Sequence, residues 1–316
     1  MSEKEFAEVN AKILADPKNP ANYKELGNLY FESEKYSEAV EQYQKSVDLD
    51  PKNPEFHKEI GNVYFKQEFF DKALEHYHKA LDLDPKYYKA LYNLGNTYYK
   101  LEEHDKAVYY WHKAIEVVPS FDHAFFNLGY HYFNKGFLRE AIDSFVQAAK
   151  INPNASDTHN YLGLCFHQTN QLPKAVEEFR KAIALSPDEG DCHYNLGNTS
   201  YDLGDFSTAA EEWAITLRIK PNDPKARNNY CDALLQLGRL EEAMKEIEVV
   251  LTDDAQYPPA VCTKAEILDK LGKKEEAKEL FTKVKKIIEG QDQWALLFRY
   301  VCEKLEIVEK DLTLVS

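Results

Sequence analysis

Asparagine, lysine and aromatic side chains recur at a fixed spacing along this chain, and together they have the chemistry to hold a peptide. An Asn amide can both donate to and accept from the main chain of an extended peptide. Aromatic rings bury a large area at low entropic cost, and Lys ammonium groups bind carboxylates. The Asn positions are Asn93, Asn127, Asn195 and Asn229, with Asn28, Asn62, Asn96 and Asn198 at the same spacing three places further along.

Catalytic signatures are missing from the sequence. It has no GxxxxGK[ST] phosphate loop, no HExxH, no GxSxG and no Rossmann glycine cluster. All ten histidines lie between His57 and His193, but His76 and His78 diverge on a helix because only residues three or four apart are neighbours. We therefore expect no enzyme, no cofactor and no metal site.

The cysteines show no disulfide or zinc framework. Their count is odd and no two form a CxxC pair, which fits reduced thiols packed as small apolar side chains. They are Cys165, Cys192, Cys231, Cys262 and Cys302.

The chain of 316 residues is acidic, with 39 Lys+Arg against 54 Asp+Glu and a formal net charge of −15. Nucleic-acid binding needs clustered cations to displace counterions, so no nucleic-acid partner is expected. No window approaches 18 consecutive apolar residues, and the first 20 residues have neither a basic n-region nor an apolar h-region. We predict a cytoplasmic protein with no membrane partner.

The common spacing is 34 residues, and it marks an internal repeat. Columns of glycine, proline and alanine follow the same period, which a chance distribution does not produce. They are Gly27, Gly61, Gly95, Gly129, Gly163 and Gly197; Pro51, Pro85, Pro119, Pro153, Pro187 and Pro221; and Ala39, Ala73, Ala107, Ala141, Ala175, Ala209, Ala243 and Ala277.

Each repeat has the pattern of two amphipathic helices. In the first repeat Tyr23, Leu26 and Tyr30 recur at helical spacing, and Ala39 and Tyr43 begin a second run. A glycine often stands at the turn between the two runs, where the left-handed cap conformation costs Gly least. The pattern predicts an all-α fold of helix pairs, with turn glycines at Gly136, Gly204, Gly238 and Gly272.

One unit shows the full column pattern, with Leu91, Leu94-Gly95, Tyr98, Ala107, Trp111, Ala114 and Pro119. This pattern resembles the tetratricopeptide repeat. The resemblance covers residues 20–291 in eight repeats, which start at residues 20, 54, 88, 122, 156, 190, 224 and 258. It implies a right-handed superhelical solenoid whose first helices line a concave groove. The last two repeats depart from the pattern, with Cys231 and Ala265 in the Gly column.

The two ends predict capping helices, because a solenoid must cover the apolar faces of its terminal repeats. Residues 1–19 form half a repeat with Phe6 and Val9 on one helical face. Residues 292–316 predict a C-terminal capping helix and tail, with Trp294 and Leu297 in its apolar stripe.

The family geometry implies which side chains face the groove in the first four repeats. For Phe31, Phe65, Tyr99 and Phe133 we expect groove exposure, whereas the preceding tyrosines fall in a packing column. The candidate partner-binding residues are Lys24, Asn28, Phe31, Lys58, Asn62, Phe65, Lys66, Lys89, Tyr92, Asn93, Asn96, Tyr99, Lys100, His123, Phe126, Asn127, Tyr130 and Phe133.

The same columns turn acidic in the later repeats, so the two halves are expected to prefer different ligands. The later side chains are Asp157, Asn160, His167, Asp191, Tyr194, Tyr201, Asp202, Asn228 and Asp232.

Two subtypes of the family share part of this pattern. Lys58, Asn62 and Asn93 match a clamp that binds the free C-terminus of heat-shock chaperones, but His123 and Asn127 stand where Lys and Arg are expected, and no alternative register is complete. The Asn columns also resemble the asparagine ladder of glycosyltransferase repeat domains. Such a ladder either holds a peptide backbone or forms hydrogen bonds between first helices.

We therefore predict a non-catalytic protein-interaction scaffold or adaptor that binds a peptide or helix of a partner protein in the concave groove. Two alternatives stay open: a non-catalytic assembly subunit of a larger enzyme or secretion complex, and a clamp-type co-chaperone. Self-association is a further possibility.

Overall fold

The computed structural model describes residues 3–315, with side chains described from residue 3 to residue 306. Within this range every regular element is a helix, which confirms the predicted all-α fold. The chain divides into two compact units, residues 1–153 and residues 154–316. The division falls inside the predicted array of eight repeats, and each unit holds four of them. Ser316, at the end of the predicted tail, lies outside the described residues.

The N-terminal unit consists of one single helix followed by four helix pairs. In each pair we call the first helix A and the second helix B. The helices are α1 (Glu3–Ala15), α2 (Pro20–Glu32), α3 (Tyr36–Leu49), α4 (Pro54–Lys66), α5 (Phe70–Leu83), α6 (Tyr88–Lys100), α7 (His104–Val117), α8 (Asp122–Asn134) and α9 (Leu138–Ile151).

The C-terminal unit repeats the arrangement and ends in a longer helix. A 3₁₀ turn at Asp292–Trp294 leads into that helix. The helices are α10 (Ser156–Gln168), α11 (Leu172–Leu185), α12 (Gly190–Asp202), α13 (Phe206–Ile219), α14 (Pro224–Gln236), α15 (Leu240–Asp253), α16 (Pro258–Lys270), α17 (Lys274–Ile288) and α18 (Ala295–Val315).

Helix starts and turns follow from residue types. The Asn19 and Asn53 side chains cap α2 and α4, each followed by a proline whose missing N–H costs nothing in the first turn. At the turn between A and B helices the backbone is left-handed, with φ from +74° to +80° at Gly136, Gly204, Gly238 and Gly272. Four repeats place a non-glycine residue in the same conformation: Glu34, Glu68, Glu102 and Asn170.

The alanine and glycine columns let the two helices of a pair approach closely. All eight alanines of the repeat column are completely buried. A Cβ added at Gly95 would lie 2.4 Å from Trp111 Cδ1, and one at Gly61 would lie 2.5 Å from Tyr77 Cε1. Glycine therefore makes room for the large ring of the B helix. In the seventh repeat, where Cys231 replaces Gly, the smaller Ile247 stands in the place of the ring.

The end helices pack on their neighbours. In α1, Val9 is buried and the Phe6 ring lies 5.1 Å from the Tyr30 ring. In α18, Val301 and Leu305 are buried in a cluster that includes Phe281 of α17. Each end helix thereby covers apolar surface of the adjacent repeat.

Candidate functional site

Two of the predicted site lysines are already neutralised by glutamates. Lys24 Nζ lies 3.0 Å from Glu55 Oε2. Lys58 is only 8% exposed, and its ammonium group pairs with Glu59. Glu59 also accepts a hydrogen bond of 2.9 Å from Asn62 Nδ2. Lys58 is therefore part of an internal polar cluster rather than a free groove lysine.

The other three predicted lysines remain available. Lys66, Lys89 and Lys100 are exposed, and none has an ion-pair partner within the described part of the chain. An unpaired ammonium group can bind an external carboxylate without first breaking an internal pair.

The predicted asparagines bond to one another and to the B helices. Asn62 Oδ1 accepts from the Tyr77 hydroxyl at 2.9 Å and from Asn93 Nδ2 at 2.8 Å. Both lone pairs of this carbonyl are thereby used inside the protein. The ladder thus forms a hydrogen bond between the first helices of the second and third repeats.

The third and fourth repeats continue the same pattern. Asn96 Oδ1 accepts from Trp111 Nε1 at 2.9 Å and from Asn127 Nδ2 at 2.7 Å. Asn127 Nδ2 also lies 3.1 Å from the Tyr92 hydroxyl. The amides of Asn62 and Asn96 therefore tie α4 and α6 both to their own B helices and to the next A helix.

In the first repeat the buried Tyr43 hydroxyl donates to Asn28 Oδ1 at 2.8 Å. Burial, with a smaller contribution from the negative charges of Glu59 and Glu32, raises the pKa of Tyr43 well above its usual range. The phenol therefore stays protonated and remains a donor.

The aromatic partners of these amides were not singled out as functional from the sequence, although a signal was present. Asparagine stands fifteen residues before each Tyr or Trp of the B-helix ring column, whose side chain carries a hydrogen-bond donor. Where the ring has no donor, at Phe145 and Phe179, the position fifteen residues earlier is Tyr130 or Leu164 instead. Trp213 departs from the pattern: its Nε1 has no hydrogen-bond partner among the described residues, and Asn198 accepts from Asn229 at 3.2 Å. The pairs with a donor ring are Asn28 and Tyr43, Asn62 and Tyr77, Asn96 and Trp111, and Asn198 and Trp213.

The four aromatic residues expected at the groove are half-buried. The Phe31 ring lies 5.9 Å from the Tyr36 ring, and Phe65 lies 5.7 Å from Phe70, both in edge-to-face geometry. Each ring is thus anchored on the first residue of its own B helix while part of its surface reaches solvent.

Tyr99 lies at the centre of a larger ring cluster. Its ring is 5.6 Å from Trp111, 5.2 Å from His104 and 6.5 Å from Tyr130. Its hydroxyl accepts from Asn134 Nδ2 at 3.4 Å. Asn134 is the last residue of α8, and Tyr99 is the penultimate residue of α6. The end of one A helix therefore lies beside the aromatic residue near the end of the previous A helix.

The remaining predicted residues of the fourth repeat group around two ring stacks. Phe126 stacks on Tyr130 with ring centres 6.5 Å apart. His123 is exposed and stacks on Phe121 at 5.6 Å, and the same Phe121 contacts Tyr92 at 5.0 Å. Phe121 was missed from the sequence because it precedes its helix, although Tyr87 and Tyr257 at the same repeat position were an available signal.

We call Phe31, Phe65, Lys66, Tyr99, Lys100 and Phe133 the aromatic–lysine row. Its members occupy the last two positions of successive A helices in the N-terminal unit. The row combines half-buried rings with two unpaired cations, an arrangement suited to binding a peptide rather than to catalysis.

The acidic columns of the C-terminal unit are partly neutralised. Asp191 pairs with Lys220 at 2.6 Å, and Asp202 lies 2.9 Å from His167 Nε2. Asp157 is exposed. The free negative charge on these columns is therefore smaller than the residue types alone indicate.

Two carboxyl groups replace asparagine in the last two repeats. Burial raises the pKa of Asp232 to about 7, the Thr263 hydroxyl that donates to it at 2.7 Å opposes this shift, and the Glu266 charge adds to it. Burial also raises the pKa of Glu266. The B-helix positions opposite them, Ile247 and Phe281, carry no hydrogen-bond donor.

Residues 3–306, whose side chains are described, contain no cluster of three or more His, Cys, Asp or Glu arranged to hold a metal ion. All five cysteines are free thiols, and four of them are buried. Among the described helices none combines the length and the apolar composition needed to cross a membrane. A cleft of about 240 Å³ in the C-terminal unit is lined by Asp223, Arg227, Asp253 and Tyr257, among others.

Comparison with protein families decides the identity of the repeat. Models described as TPR repeat match residues 27–68, 61–102 and 163–204, and models described as tetratricopeptide repeat match residues 88–121, 122–155, 194–259 and 258–290. This chain belongs to the tetratricopeptide repeat family. Repeats of this family typically form non-catalytic scaffolds for protein–protein interaction. No curated protein sequence matches the chain.

Several solved tetratricopeptide structures share the fold. The structure titled APC/C hetero-tetramer Cut9-Hcn1 is 20% identical with a TM-score of 0.58, covering 73% of this chain and 46% of that chain. PilF of Pseudomonas aeruginosa is 19% identical with a TM-score of 0.59, covering 67% of this chain and 95% of that one. MamA is 22% identical with a TM-score of 0.51, covering 54% and 92%. This chain thus spans less than half of the first of these structures.

Proposed function

We propose that this tetratricopeptide protein is a non-catalytic adaptor that holds a segment of a partner protein along the aromatic–lysine row, on the groove side of the repeats. The observation that carries the proposal is the combination, on successive A helices, of half-buried rings with unpaired lysines. Rings fixed by packing lose little entropy when a ligand covers them, so the row is pre-organised for binding.

The amide network supports this role by fixing the A helices. The Asn62 and Asn96 carbonyls each accept from a buried donor of their own B helix and from the next amide. The rings are therefore carried by A helices that are held in place. Fixed A helices lower the entropic cost of binding, because only the partner segment then has to become ordered.

The clamp-type co-chaperone is the weaker alternative. Lys58 and Asn62, which would begin the clamp, both contact Glu59, and Asn93 donates to Asn62. A free C-terminal carboxylate would have to displace these internal partners, and no arginine supplies a bidentate contact at the expected place.

A permanent assembly subunit is the second candidate, favoured by two exposed leucines on the end helices. Leu14 of α1 is 84% exposed and Leu296 of α18 is 80% exposed. Such side chains can join a second copy or a stable companion. A stoichiometric companion that survives high salt on purification supports this candidate, and a monodisperse monomer counts against it.

We also propose that the adaptor works in the cytoplasm. The free thiols of its five cysteines fit a reducing compartment.

The proposed site is tested with the double variant Phe65→Ala/Tyr99→Ala. Partners are captured from native extract, identified by mass spectrometry, and measured by calorimetry with the purified partner. We expect affinity to fall at least about 30-fold while helicity is retained. The matched control is Tyr201→Ala, because Tyr201 packs on Phe206 and Trp213 as Tyr99 packs on its own B helix. Equal binding by wild type and double variant would place the interface elsewhere.

A further inference from the structure

We infer that the segment held by the aromatic–lysine row is an internal stretch of a partner protein in which acidic residues alternate with aromatic or aliphatic ones. This inference rests on the proposed function and adds the chemistry of the ligand to it. It follows from which lysines are free, from their position relative to the rings, and from the charge at the same position in the C-terminal unit.

Two of the three free lysines, Lys66 and Lys100, end their A helices, whereas the third, Lys89, lies in the first turn of α6 and outside the row. Lys24 and Lys58, one turn or more earlier in their helices, are neutralised by Glu55 and Glu59. Lys66 and Lys100 are exposed and have no ion-pair partner among the described residues. A carboxylate gains its full attraction only from the unpaired pair, because the others must first give up an internal partner.

Rings and cations alternate along the row. Asn134 contacts the Tyr99 hydroxyl, and the two residues are 35 positions apart. The same separation relates Lys100 to Phe65 and Lys66 to Phe31. The repeat therefore sets a lysine beside the ring of the preceding A helix, so a segment that follows the row meets apolar and cationic groups in turn.

The row carries two cations, Lys66 and Lys100, although the equivalent position of the first repeat is Glu32 and the whole chain has a net charge of −15. At physiological ionic strength charges are screened over about 8 Å, so exposed acidic residues elsewhere on the surface repel a bound carboxylate weakly. Lysine ammonium groups within direct contact distance then decide which side chains are accepted.

The sixth repeat carries the opposite charge at the equivalent position. Asp202 is the counterpart of Lys66 and Lys100, and it lies 2.9 Å from His167 Nε2 at the counterpart of the preceding ring. His167 and Asp202 are again 35 residues apart, but Asp202 has a carboxylate where Lys66 and Lys100 have an ammonium group. The C-terminal unit has one lysine at these positions, Lys270, and no pair of lysines on successive A helices. We therefore assign the preference for acidic ligands to the N-terminal unit.

The inference is tested with a random-sequence peptide library displayed on phage and selected on the full-length protein. Three further proteins are selected in parallel: the charge-reversed variant Lys66→Glu/Lys100→Glu, the ring variant Phe65→Ala/Tyr99→Ala, and the control Lys35→Glu/Lys86→Glu. The control has the same change in net charge, at exposed lysines outside the row.

Wild type and control are expected to enrich the same peptides, with Asp or Glu alternating with aromatic or aliphatic residues. The charge-reversed variant should bind those peptides at least tenfold more weakly and enrich Lys- and Arg-containing ones. Wild-type selection of neutral or basic peptides overturns the inference, and so does retention of acidic peptides by the charge-reversed variant.

The ring variant separates failure of the inference from failure of the proposed function. If wild type enriches non-acidic peptides that the ring variant loses, the row binds peptides and only their charge was inferred wrongly. If wild type enriches no peptide over the ring variant, both the row as a binding site and its acidic preference are overturned.

Discussion

The Tyr43 hydroxyl donates a 2.8 Å hydrogen bond to Asn28 Oδ1, fifteen residues earlier and on the facing helix of the same pair. Tyr43 is 2% exposed, whereas Asn28 is half-buried and can reach water. Loss of either partner therefore has unequal consequences.

We expect Asn28→Leu to cost about 1–3 kcal/mol of unfolding free energy because it leaves a buried hydroxyl without an acceptor. Tyr43→Phe should cost about 1 kcal/mol or less, since the Asn28 carbonyl can bond to water. The double variant, which reproduces the Leu164 and Phe179 pair of the fifth repeat, should be more stable than Asn28→Leu alone. Urea unfolding of all four proteins gives the coupling energy, and simple additivity would contradict the structural pairing.

Asp232→Asn is expected to stabilise the C-terminal unit at neutral and alkaline pH. The pKa of Asp232 is raised to about 7, so the folded state favours the uncharged carboxyl. The stability it contributes is complete below about pH 4 and is lost as pH rises through 7. Asparagine does not titrate and is the residue that four other repeats place there.

The gain for Asp232→Asn should therefore be near zero at pH 4 and reach about 4 kcal/mol at pH 8. Chemical unfolding at several pH values measures it. Asp188→Asn, at an exposed turn position of the same unit, serves as the control and should leave stability nearly unchanged at each pH. A gain that does not depend on pH would argue that packing, and not titration, is responsible.

His193→Arg should preserve the fold. His193 Nδ1 lies 2.6 Å from Glu212 Oε2, and Nε2 lies 3.0 Å from the Pro187 carbonyl. Arg227 makes the equivalent contacts in the next repeat, to Glu246 and to the Pro221 carbonyl at 2.8 Å.

His193→Phe loses both hydrogen bonds, leaves Glu212 without its hydrogen-bonding partner, and should cost about 1–3 kcal/mol. His193→Arg should stay within about 0.5 kcal/mol of wild type because a guanidinium can donate to both acceptors. Thermal unfolding followed by circular dichroism distinguishes the two. Equal loss in both variants would show that ring packing, rather than donation, holds this position.

Glu68→Gly is expected to stabilise the N-terminal unit by about 0.5–1 kcal/mol. Glu68 has φ of +62°, a conformation that costs an L-residue about 1–2 kcal/mol and that glycine adopts freely. The reciprocal change Gly204→Ala, at φ of +80°, should destabilise by a similar amount. Glu68 is exposed, and a Cβ at Gly204 would meet nothing within 4 Å. Opposite signs in differential scanning calorimetry are the expected result.

The helix pairs were predictable because a period of 34 residues repeats the same packing problem eight times. The buried alanines, and the glycines that lie opposite a ring, each indicate a close approach of the two helices of a pair. A helix boundary that is uncertain in one repeat can therefore be assigned from the others. The end helices follow from their apolar stripes.

The charge state of the site was not predictable in the same way. Whether a lysine is free depends on which glutamate of the neighbouring A helix lies near it, as Glu55 lies near Lys24. Comparing equivalent positions of the repeats does not show which residues of different helices are in contact. The role of the asparagines required comparing two columns at once. Position 28 and its equivalents had to be compared with the rings fifteen residues later.

The hydrogen bond between Asn62 and Asn93 has its equivalent between Asn96 and Asn127, so the junctions on either side of the third repeat are interchangeable. Excising residues 63–96 would leave Asn62 facing Asn127 with the contact that Asn96 now makes. Gene-level duplication or deletion of a whole repeat could thus change the length of such a protein, and with it the span of ligand covered, without any new joint having to evolve.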